Sequence, residues 1–325
     1  MEVSCAFATS LQTPEHIAEA ERLGYARAWC YDSPPLYPDV WMELALAATK
    51  TSRIGLGPAV LVPHLRHVQT NAAAIATLEA LAPGRVNVAL GSGFTGRLAM
   101  GKRPMPWRQV SAYIATLRAL LAGEEVEWEG TRLKMLHGEG FAARQPIEVP
   151  ILVAAGGPKG LAVAEEQGDG VVLAGTMGNI DAGKLARVLQ TTSGTVLEPG
   201  EDAGSPRALA AAGHVAALAY HFAYENGLAE RLPNGAEYVR TIDAVPVERR
   251  HLVVHEGHLV TMNEIDRRFV TGEFMAQSGI AASADAWRAR LAGMQERGVT
   301  EVVYQPAGPD IPREMRAFAE VAGLL

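Results

Sequence analysis

Short β-like runs alternate with helix-like runs along nearly the whole chain, and this alternation constrains the fold more than any other feature of the sequence. Strands separated by helices form parallel sheets, because each helix carries the chain back before the next strand begins. About eight such units can be counted, whereas an open doubly wound sheet has about five to seven strands. No G-x-G-x-x-G follows the first strand, as it would in a dinucleotide-binding fold. The sequence therefore predicts an α/β fold, a single (β/α)8 TIM barrel with insertions.

The units can be placed on the sequence. We expect barrel strands at residues 2–7, 25–31, 53–62, 85–90, 150–155, 169–173, 194–197 and 300–305, and a helix over 180–190. Residues 1–325 then form one domain, with insertions near 94–107, 123–149 and 198–283. Residues 126–133 are typical of a small β-hairpin, and 232–262 predict irregular structure. Ligands of such a barrel bind at the carboxyl ends of its strands.

Composition excludes several classes of protein. Hydrophobic residues make up 48% of the chain and charged residues 20%, which is typical of a globular protein with a core. The formal charge is 29 − 36 = −7 without basic blocks, so we expect no nucleic-acid partner. No apolar run reaches the roughly 18 residues of a membrane span, and no signal peptide is expected. Two cysteines, Cys5 and Cys30, make no disulfide framework or zinc cluster, and a cytoplasmic protein is expected.

Glycines collect where predicted strands end. Gly156 and Gly157 precede Pro158 and Lys159 at the start of a predicted helix, where free backbone N–H groups and the helix dipole favour a phosphate or carboxylate. The alternative is an ordinary tight turn with a surface lysine. Ser92 and Gly93 follow the fourth strand, where small residues permit close approach of a flat ligand. The alternative there is the start of a flexible loop.

Three kinds of polar residue are candidates for chemistry. Asp32 follows the second strand and is a candidate acid–base or ligand-orienting group, with a turn carboxylate as the alternative. His64 follows the third strand and is a candidate catalytic residue, with a structural histidine as the alternative. The segment containing His251, His255 and His258 resembles a metal-ligand spacing, but its neighbouring Gly257, Val253 and Val254 disfavour a helix there. We therefore expect a lid or core-edge segment there and no metal site.

Several segments in order resemble the bacterial-luciferase-like monooxygenase superfamily. They are T-S-R-I-G-L-G-P-A-V at 51–60, A-I-A-T-L-E-A-L-A-P-G-R at 74–85, A-L-G-S-G at 89–93, A-A-G-G-P-K at 154–159 and the G-D-G-V of 168–171. The resemblance covers nearly the whole length and implies a (β/α)8 barrel that binds FMN or the deazaflavin coenzyme F-420. The chain looks more similar to the F-420 branch, typified by methylenetetrahydromethanopterin reductases.

The resemblance also implies roles for individual residues. It implies a non-prolyl cis peptide bond within Ala59-Val60-Leu61 that backs the deazaflavin ring. It implies further cofactor contacts from Asp32, Ser92, Gly93, Gly175 and Thr176, and phosphate contacts from Gly156, Gly157, Pro158 and Lys159. In the glucose-6-phosphate dehydrogenase branch, catalysis uses a histidine after strand two and a glutamate after strand four. Asp32-Ser33 and Ser92-Gly93-Phe94-Thr95 stand there instead, which disfavours that sugar-phosphate chemistry.

Four functions remain open from the sequence. The first is an F-420-dependent oxidoreductase that moves a hydride at the deazaflavin C5 to or from a small organic substrate. The second is an FMN-dependent monooxygenase, and the third is a non-catalytic ligand-binding barrel. A phosphate-ligand lyase or aldolase ranks last, because Lys159 lies in a helix turn rather than at a strand end. The resemblance implies a homodimer paired through helices two and three, where residues 44–48 and 72–76 are alanine-rich.

Overall fold

The computed structural model describes residues 1–174 and 185–325, and these contain twelve strands. The strands are β1 (Glu2–Phe7), β2 (Arg27–Cys30), β3 (Gly55–Pro58), β4 (Val88–Gly91), β5 (Val126–Trp128), β6 (Thr131–Leu133), β7 (Ile151–Ala154), β8 (Gly170–Leu173), β9 (Val188–Ser193), β10 (Thr195–Val196), β11 (Ala281–Ala282) and β12 (Glu301–Gln305).

Helices connect most of these strands. The α-helices are α1 (Thr13–Arg22), α2 (Val40–Lys50), α3 (Val68–Leu81), α4 (Phe94–Leu98), α5 (Trp107–Ala122), α6 (Pro158–Gln167), α7 (Pro206–Glu225), α8 (Gly235–Asp243), α9 (Arg250–Val254), α10 (Asp266–Phe269), α11 (Gly272–Gln277), α12 (Ala284–Glu296) and α13 (Ile311–Val321). Two 3-10 helices cover Ala229–Arg231 and Val247–Arg249. Among the described residues, no helix is both long and apolar enough to cross a membrane.

Eight of the strands form one sheet in the order β3-β2-β1-β12-β9-β8-β7-β4, and every neighbouring pair is parallel. Isolated bridges between Leu56 and Val86 and between Leu61 and Leu90 join the two edges. The Leu61 N–H donates to Ala89 O at 2.8 Å, and the Gly91 N–H donates to Leu61 O at 3.1 Å. These contacts nearly close the sheet, so the predicted (β/α)8 barrel is confirmed.

Along each barrel strand, side chains point alternately to two apolar layers, one inside the barrel and one between the strands and the helices. Val303 of β12 and Val172 of β8 lie inside the barrel with Trp29, Ala89 and Leu152. Their chain neighbours, such as Val302 and Val171, pack outward in the larger core between strands and helices. This two-sided burial is what parallel strands covered by helices require.

The seventh barrel strand differs from the prediction. The expected helix over 180–190 is wrong, because Val188–Ser193 forms strand β9 between β8 and β12; residues 180–184 lie outside the described chain. The expected barrel strand at 194–197 is also wrong, since Thr195–Val196 pairs with Ala281–Ala282 in a separate small sheet. The physical reason is polarity: the second half of β9 is Q-T-T-S, and polar residues break the apolar pattern of a buried strand.

The long excursions also have defined structure. The hairpin at 126–133 is confirmed as the antiparallel pair β5–β6. The stretch 232–262, predicted irregular, contains α8 and α9, so that prediction is wrong. Helix α7 supplies the alanines of a second apolar cluster, against which Met275 and Val270 pack. The excursion after β10 therefore has a core of its own beside the barrel.

The amino end of the barrel is closed by a buried carboxylate. Glu301 is 1% exposed and accepts hydrogen bonds from Ser4 Oγ at 2.6 Å, Arg27 Nη1 at 2.8 Å and Trp29 Nε1 at 3.2 Å. Residues at this end of a barrel contribute to stability, which leaves the carboxyl end for ligands.

Candidate functional site

An apolar floor lies at the carboxyl end of the barrel. Tyr31, Ala59, Val60 and Ala154 are the partly exposed members of the interior cluster, and each ends or follows a barrel strand. The Ala59–Val60 peptide bond is cis, within the segment where the resemblance implied one. The floor therefore presents small apolar groups to the outside at the end where a barrel binds its ligand.

Two glycines at or just after the end of β4 accommodate valines from the connection that follows β3. A Cβ added to Gly91 would lie 3.1 Å from Val60 Cγ2, and one added to Gly93 would lie 2.4 Å from Val62 Cγ1. Gly93 also has φ +79°, a left-handed conformation that favours glycine, and it begins α4. The half-buried Ser92 between them accepts a hydrogen bond at its carbonyl from the Met105 N–H at 2.7 Å. The absence of a Cβ at Gly91 and Gly93 thus lets Val60 and Val62 pack directly against this backbone.

The start of α6 forms an open backbone cradle. Gly157 is its N-cap residue and Pro158 its first residue, and Lys159 is exposed. No heavy atom within residues 1–174 and 185–325 lies within 4 Å of the place where a Gly157 Cβ would stand. Gly160 in the first turn packs against Trp107, where a Cβ would lie 2.5 Å from Trp107 Cζ2, so the helix start is fixed. A glycine cap, a lysine and the helix dipole suit an anionic group.

Asp32 follows β2 and forms an ion pair with Arg66. Its carboxylate accepts a hydrogen bond from Arg66 Nη1, and Arg66 Nη2 donates to Asp39 Oδ2 at 2.7 Å. Asp32 is 3% exposed, and burial raises the pKa of its carboxyl group although the Arg66 guanidinium opposes that rise. The pair ties the segment after β2 to the segment before α3.

His64 lies at the rim rather than in the floor. Its ring is exposed, and its Nε2 lies 3.2 Å from Lys102 Nζ. Partial burial and the nearby cations Arg97 and Lys102 lower the pKa of His64, so the neutral ring is favoured at neutral pH. The rim therefore combines a neutral imidazole with two cations.

Sequence reasoning missed Gln305, which ends β12. Its Oε1 accepts hydrogen bonds from Tyr31 OH at 3.1 Å and Ser193 Oγ at 3.3 Å, and its Nε2 donates to Leu259 O at 2.8 Å. The residue thus joins the floor, β9 and the excursion after β10. A polar side chain at the end of the buried run E-V-V-Y was the signal that could have identified it.

The histidines of the 251–258 segment do not all come together. His255 and His258 meet His221 of α7, and one ring nitrogen of each lies within 4.8 Å of the others. His251 lies elsewhere, with its ring against Gly101. Residues 250–254 are helical, so the expectation of no helix there was wrong. Burial, together with the His221 and His255 rings, lowers the pKa of His258 well below its usual range.

The predicted residues within the described chain lie at the same end of the barrel. Asp32, Ala59, Val60, Ser92, Gly93, Gly156, Gly157, Pro158 and Lys159 all end or follow the strands β2, β3, β4 and β7. Gly175 and Thr176 lie outside the described residues. The apolar floor suits a conjugated ring system, and the open cradle at α6 suits an anionic group of the same ligand.

The fold, together with the candidate site at the carboxyl ends of its strands, defines the class of (β/α)8 barrel proteins with a ligand site at the strand ends. The sequence profile of the luciferase-like monooxygenase family matches residues 10–301. The chain therefore belongs to that family.

Curated relatives match only part of the chain. The 5,10-methylenetetrahydromethanopterin reductase of Methanolobus tindarius is 34% identical over 159 residues, which cover 47% of each chain. An F-420-dependent glucose-6-phosphate dehydrogenase of Beutenbergia cavernae is 38% identical over 135 residues, which cover 40% of each chain. The matches thus span less than half the length of these two relatives.

Solved structures share the fold over the whole chain. The coenzyme F-420-dependent tetrahydromethanopterin reductase of Methanopyrus kandleri has a TM-score of 0.67 and 20% identity, covering 98% of each chain. The oxygenating constituent of the 3,6-diketocamphane monooxygenase of Pseudomonas putida, solved with FMN, has a TM-score of 0.62 and 14% identity, covering 100% of this chain and 98% of the other. At these identities the similarity concerns the fold alone.

Proposed function

We propose that the protein is an oxidoreductase that uses coenzyme F-420 to transfer a hydride to or from a small organic substrate. The observation that carries the proposal is the apolar floor of Tyr31, Ala59, Val60 and Ala154 beside the open cradle at the start of α6. The names of the two curated relatives, a methylenetetrahydromethanopterin reductase and an F-420-dependent dehydrogenase, support the choice of deazaflavin.

The residues of this chain would hold the cofactor in three ways. The floor would support the ring system, the backbone N–H groups of Gly157 and Lys159 would bind the phosphate, and the exposed Lys159 ammonium would add a positive charge. Gln305 fixes the Tyr31 hydroxyl at one side of the floor. When bound, the deazaflavin supplies a hydride-carrying carbon that reacts poorly with oxygen.

The substrate is a small organic molecule that enters above the floor. The site favours His64 over Asp32 for proton exchange with it, because the His64 ring is exposed whereas the Asp32 carboxylate is committed to Arg66. We give Asp32 the role of positioning the residues after β2. Glucose 6-phosphate is disfavoured, since Asp32-Ser33 stand where the resemblance places that branch's catalytic histidine.

An FMN-dependent monooxygenase is the second candidate. Its support is the FMN in the diketocamphane monooxygenase structure, which shares the barrel fold. The floor and cradle described above accept either isoalloxazine or deazaflavin rings, so cofactor retention separates the two proposals.

Incubation of the protein with both cofactors at once tests which of the two it binds. The purified protein is incubated with equimolar F-420 and FMN, passed through a desalting column and analysed by absorbance. We expect F-420 in the protein fraction in one equivalent and FMN only in the small-molecule fraction. Retention of FMN with oxygen consumption on reduction would support the monooxygenase, and retention of neither would support a non-catalytic barrel. A heat-unfolded sample controls for carry-over.

We also propose that the protein is a cytoplasmic homodimer paired through α2 and α3. The alanines Ala47 and Ala72 face inward, at 0% exposure, and so are unable to form the contact. Met42 and Leu46 of α2 are 69% and 52% exposed and offer the apolar surface instead. Sedimentation velocity should give twice the mass of one chain, and Leu46→Glu should give the mass of one.

A further inference from the structure

Three buried histidines converge on one point beside the barrel mouth. His258 Nδ1 lies 3.2 Å from His255 Nδ1 and 3.4 Å from His221 Nδ1. His221 and His255 are each 3% exposed, and His258 is 6% exposed. They come from two separate elements, since His221 lies in α7 while His255 and His258 follow α9. Three rings therefore point the same nitrogen, Nδ1, toward a shared centre.

Carboxylates hold the outer nitrogens of two of these rings. His221 Nε2 lies 3.0 Å from Asp266 Oδ1, and His255 Nε2 lies 2.7 Å from Glu225 Oε1. Asp266 is itself fixed by the Asn263 side chain, whose Oδ1 accepts from the Asp266 N–H at 2.8 Å. An Nε2–H that donates to a carboxylate leaves the Nδ1 lone pair of the same ring bare. A carboxylate behind each histidine is also the usual arrangement around a bound metal ion.

Hydrogen bonds among the rings do not satisfy these lone pairs. When both rings are neutral and their Nε2–H groups donate to the carboxylates, His221 Nδ1 and His255 Nδ1 are both acceptors. His258 has a single proton to donate in its neutral form, and its Nε2 also lies 3.4 Å from Thr95 Oγ1. At least one buried lone pair thus lacks a full donor unless a cation occupies the centre, and buried polar atoms rarely go unsatisfied.

The spacing also matches metal coordination. Two nitrogens bound to one zinc ion at roughly 2.0–2.1 Å and a tetrahedral angle lie about 3.3 Å apart. The two Nδ1–Nδ1 distances of 3.2 Å and 3.4 Å agree with that value.

We propose that His221, His255 and His258 form a binding site for one divalent transition-metal ion of the zinc class, with the fourth coordination position open. Imidazole ligands select zinc, copper and nickel over magnesium and calcium. The ion would join α7 to the segment after α9. The same segment touches the mouth, because Tyr37 OH donates to His258 O and Gln305 Nε2 donates to Leu259 O. The site would therefore stabilise one wall of the substrate entrance.

Cobalt substitution tests the site without any cofactor. The full chain, freed of metal with a chelator, is titrated with Co²⁺ while visible absorbance is recorded. We expect saturation at one equivalent with the absorption bands of low-symmetry nitrogen coordination, displacement of Co²⁺ by Zn²⁺, and no competition from Mg²⁺. Absence of saturable Co²⁺ and Zn²⁺ binding by the wild-type chain would overturn the proposal, whatever the outcome of the cofactor soak.

Variants locate the ion. His255→Gln and His258→Gln should abolish the Co²⁺ bands, whereas His251→Gln, the matched control from the same segment, should keep them. Unchanged binding in both of the first two variants would place the metal elsewhere and refute the site. Asp266→Asn, which removes the charge behind His221, should weaken binding about 10-fold to 100-fold while leaving the stoichiometry at one.

Discussion

Asp32 and Arg66 form a largely buried ion pair that joins the end of β2 to the connection between β3 and α3. The same guanidinium also contacts Asp39, the N-cap residue of α2. One arginine thus ties together two connections at the carboxyl end of the barrel, the one between β2 and α2 and the one between β3 and α3. The two carboxylates differ in burial, with Asp32 at 1% and Asp39 at 42% side-chain exposure.

Asp32→Asn should destabilise the protein much more than Asp39→Asn. Loss of the buried carboxylate leaves the Arg66 charge partly unpaired, at a cost of about 1–3 kcal/mol in the free energy of unfolding. Asparagine at position 39 keeps the N-cap hydrogen bonds to Trp41 and Met42 and loses only an exposed pair, which costs less than about 1 kcal/mol. Urea unfolding measures both values, and equal costs would refute the assigned positioning role.

Gly157→Val should weaken cofactor binding while leaving the protein folded. Its backbone is extended, at φ −170°, and a Cβ meets no heavy atom of the described residues within 4 Å, so the substitution fits the fold. A branched side chain there fills the cradle and should weaken F-420 binding by at least about tenfold, or 1.4 kcal/mol. The melting temperature reports the intact fold. Unchanged affinity in a folded variant would remove the cradle from the site.

Lys159→Gln should weaken F-420 binding in a salt-dependent way. In the proposed site the exposed ammonium would attract the phosphate through solvent, so its contribution should be several-fold at low ionic strength and should fade near 1 M salt, where the Debye length is about 3 Å. Lys134→Gln, at an exposed lysine of the hairpin segment, is the matched control and should leave affinity unchanged. Identical salt profiles for wild type and Lys159→Gln would argue against the contact.

Acid should destabilise the protein partly through Glu201. Hydrogen bonds from Arg207 lower the pKa of Glu201 from 4.5 to about 2. A carboxyl group with a lowered pKa stabilises the folded state above its unfolded pKa and loses that contribution as pH falls toward about 2. Glu201→Gln should therefore flatten the fall in unfolding free energy between about pH 4.5 and pH 2. Urea unfolding at several pH values measures this slope, and identical slopes for wild type and Glu201→Gln would contradict the prediction.

The barrel was predictable because most of its strands are apolar on both faces. Strand β9 was not, since Gln190 and Thr191 interrupt its apolar run and the preceding residues suggested a helix. The polar half of β9 lies at the carboxyl end of the barrel, where Ser193 contacts Gln305. The exception to the pattern thus lies next to the candidate site, where polar side chains are needed.

The glycines of the cradle followed from a local motif and the Ala59–Val60 segment from the family resemblance, but the histidine cluster followed from neither. The spacing of His251, His255 and His258 resembled a metal-ligand pattern, but no helix was expected there. Helix α9 in fact ends at Val254, just before His255, which contacts His258. The third member, His221, lies on α7 and is brought in by tertiary packing. No local spacing encodes that contact.

Equilibrium titration of the purified protein with F-420 and with FMN, each followed by absorbance and by melting temperature, tests the central claim most directly. We expect saturation by F-420 at one equivalent per chain, with a rise in melting temperature, and binding of FMN that is at least about tenfold weaker. Tighter binding of FMN, or binding of neither cofactor, would contradict the account.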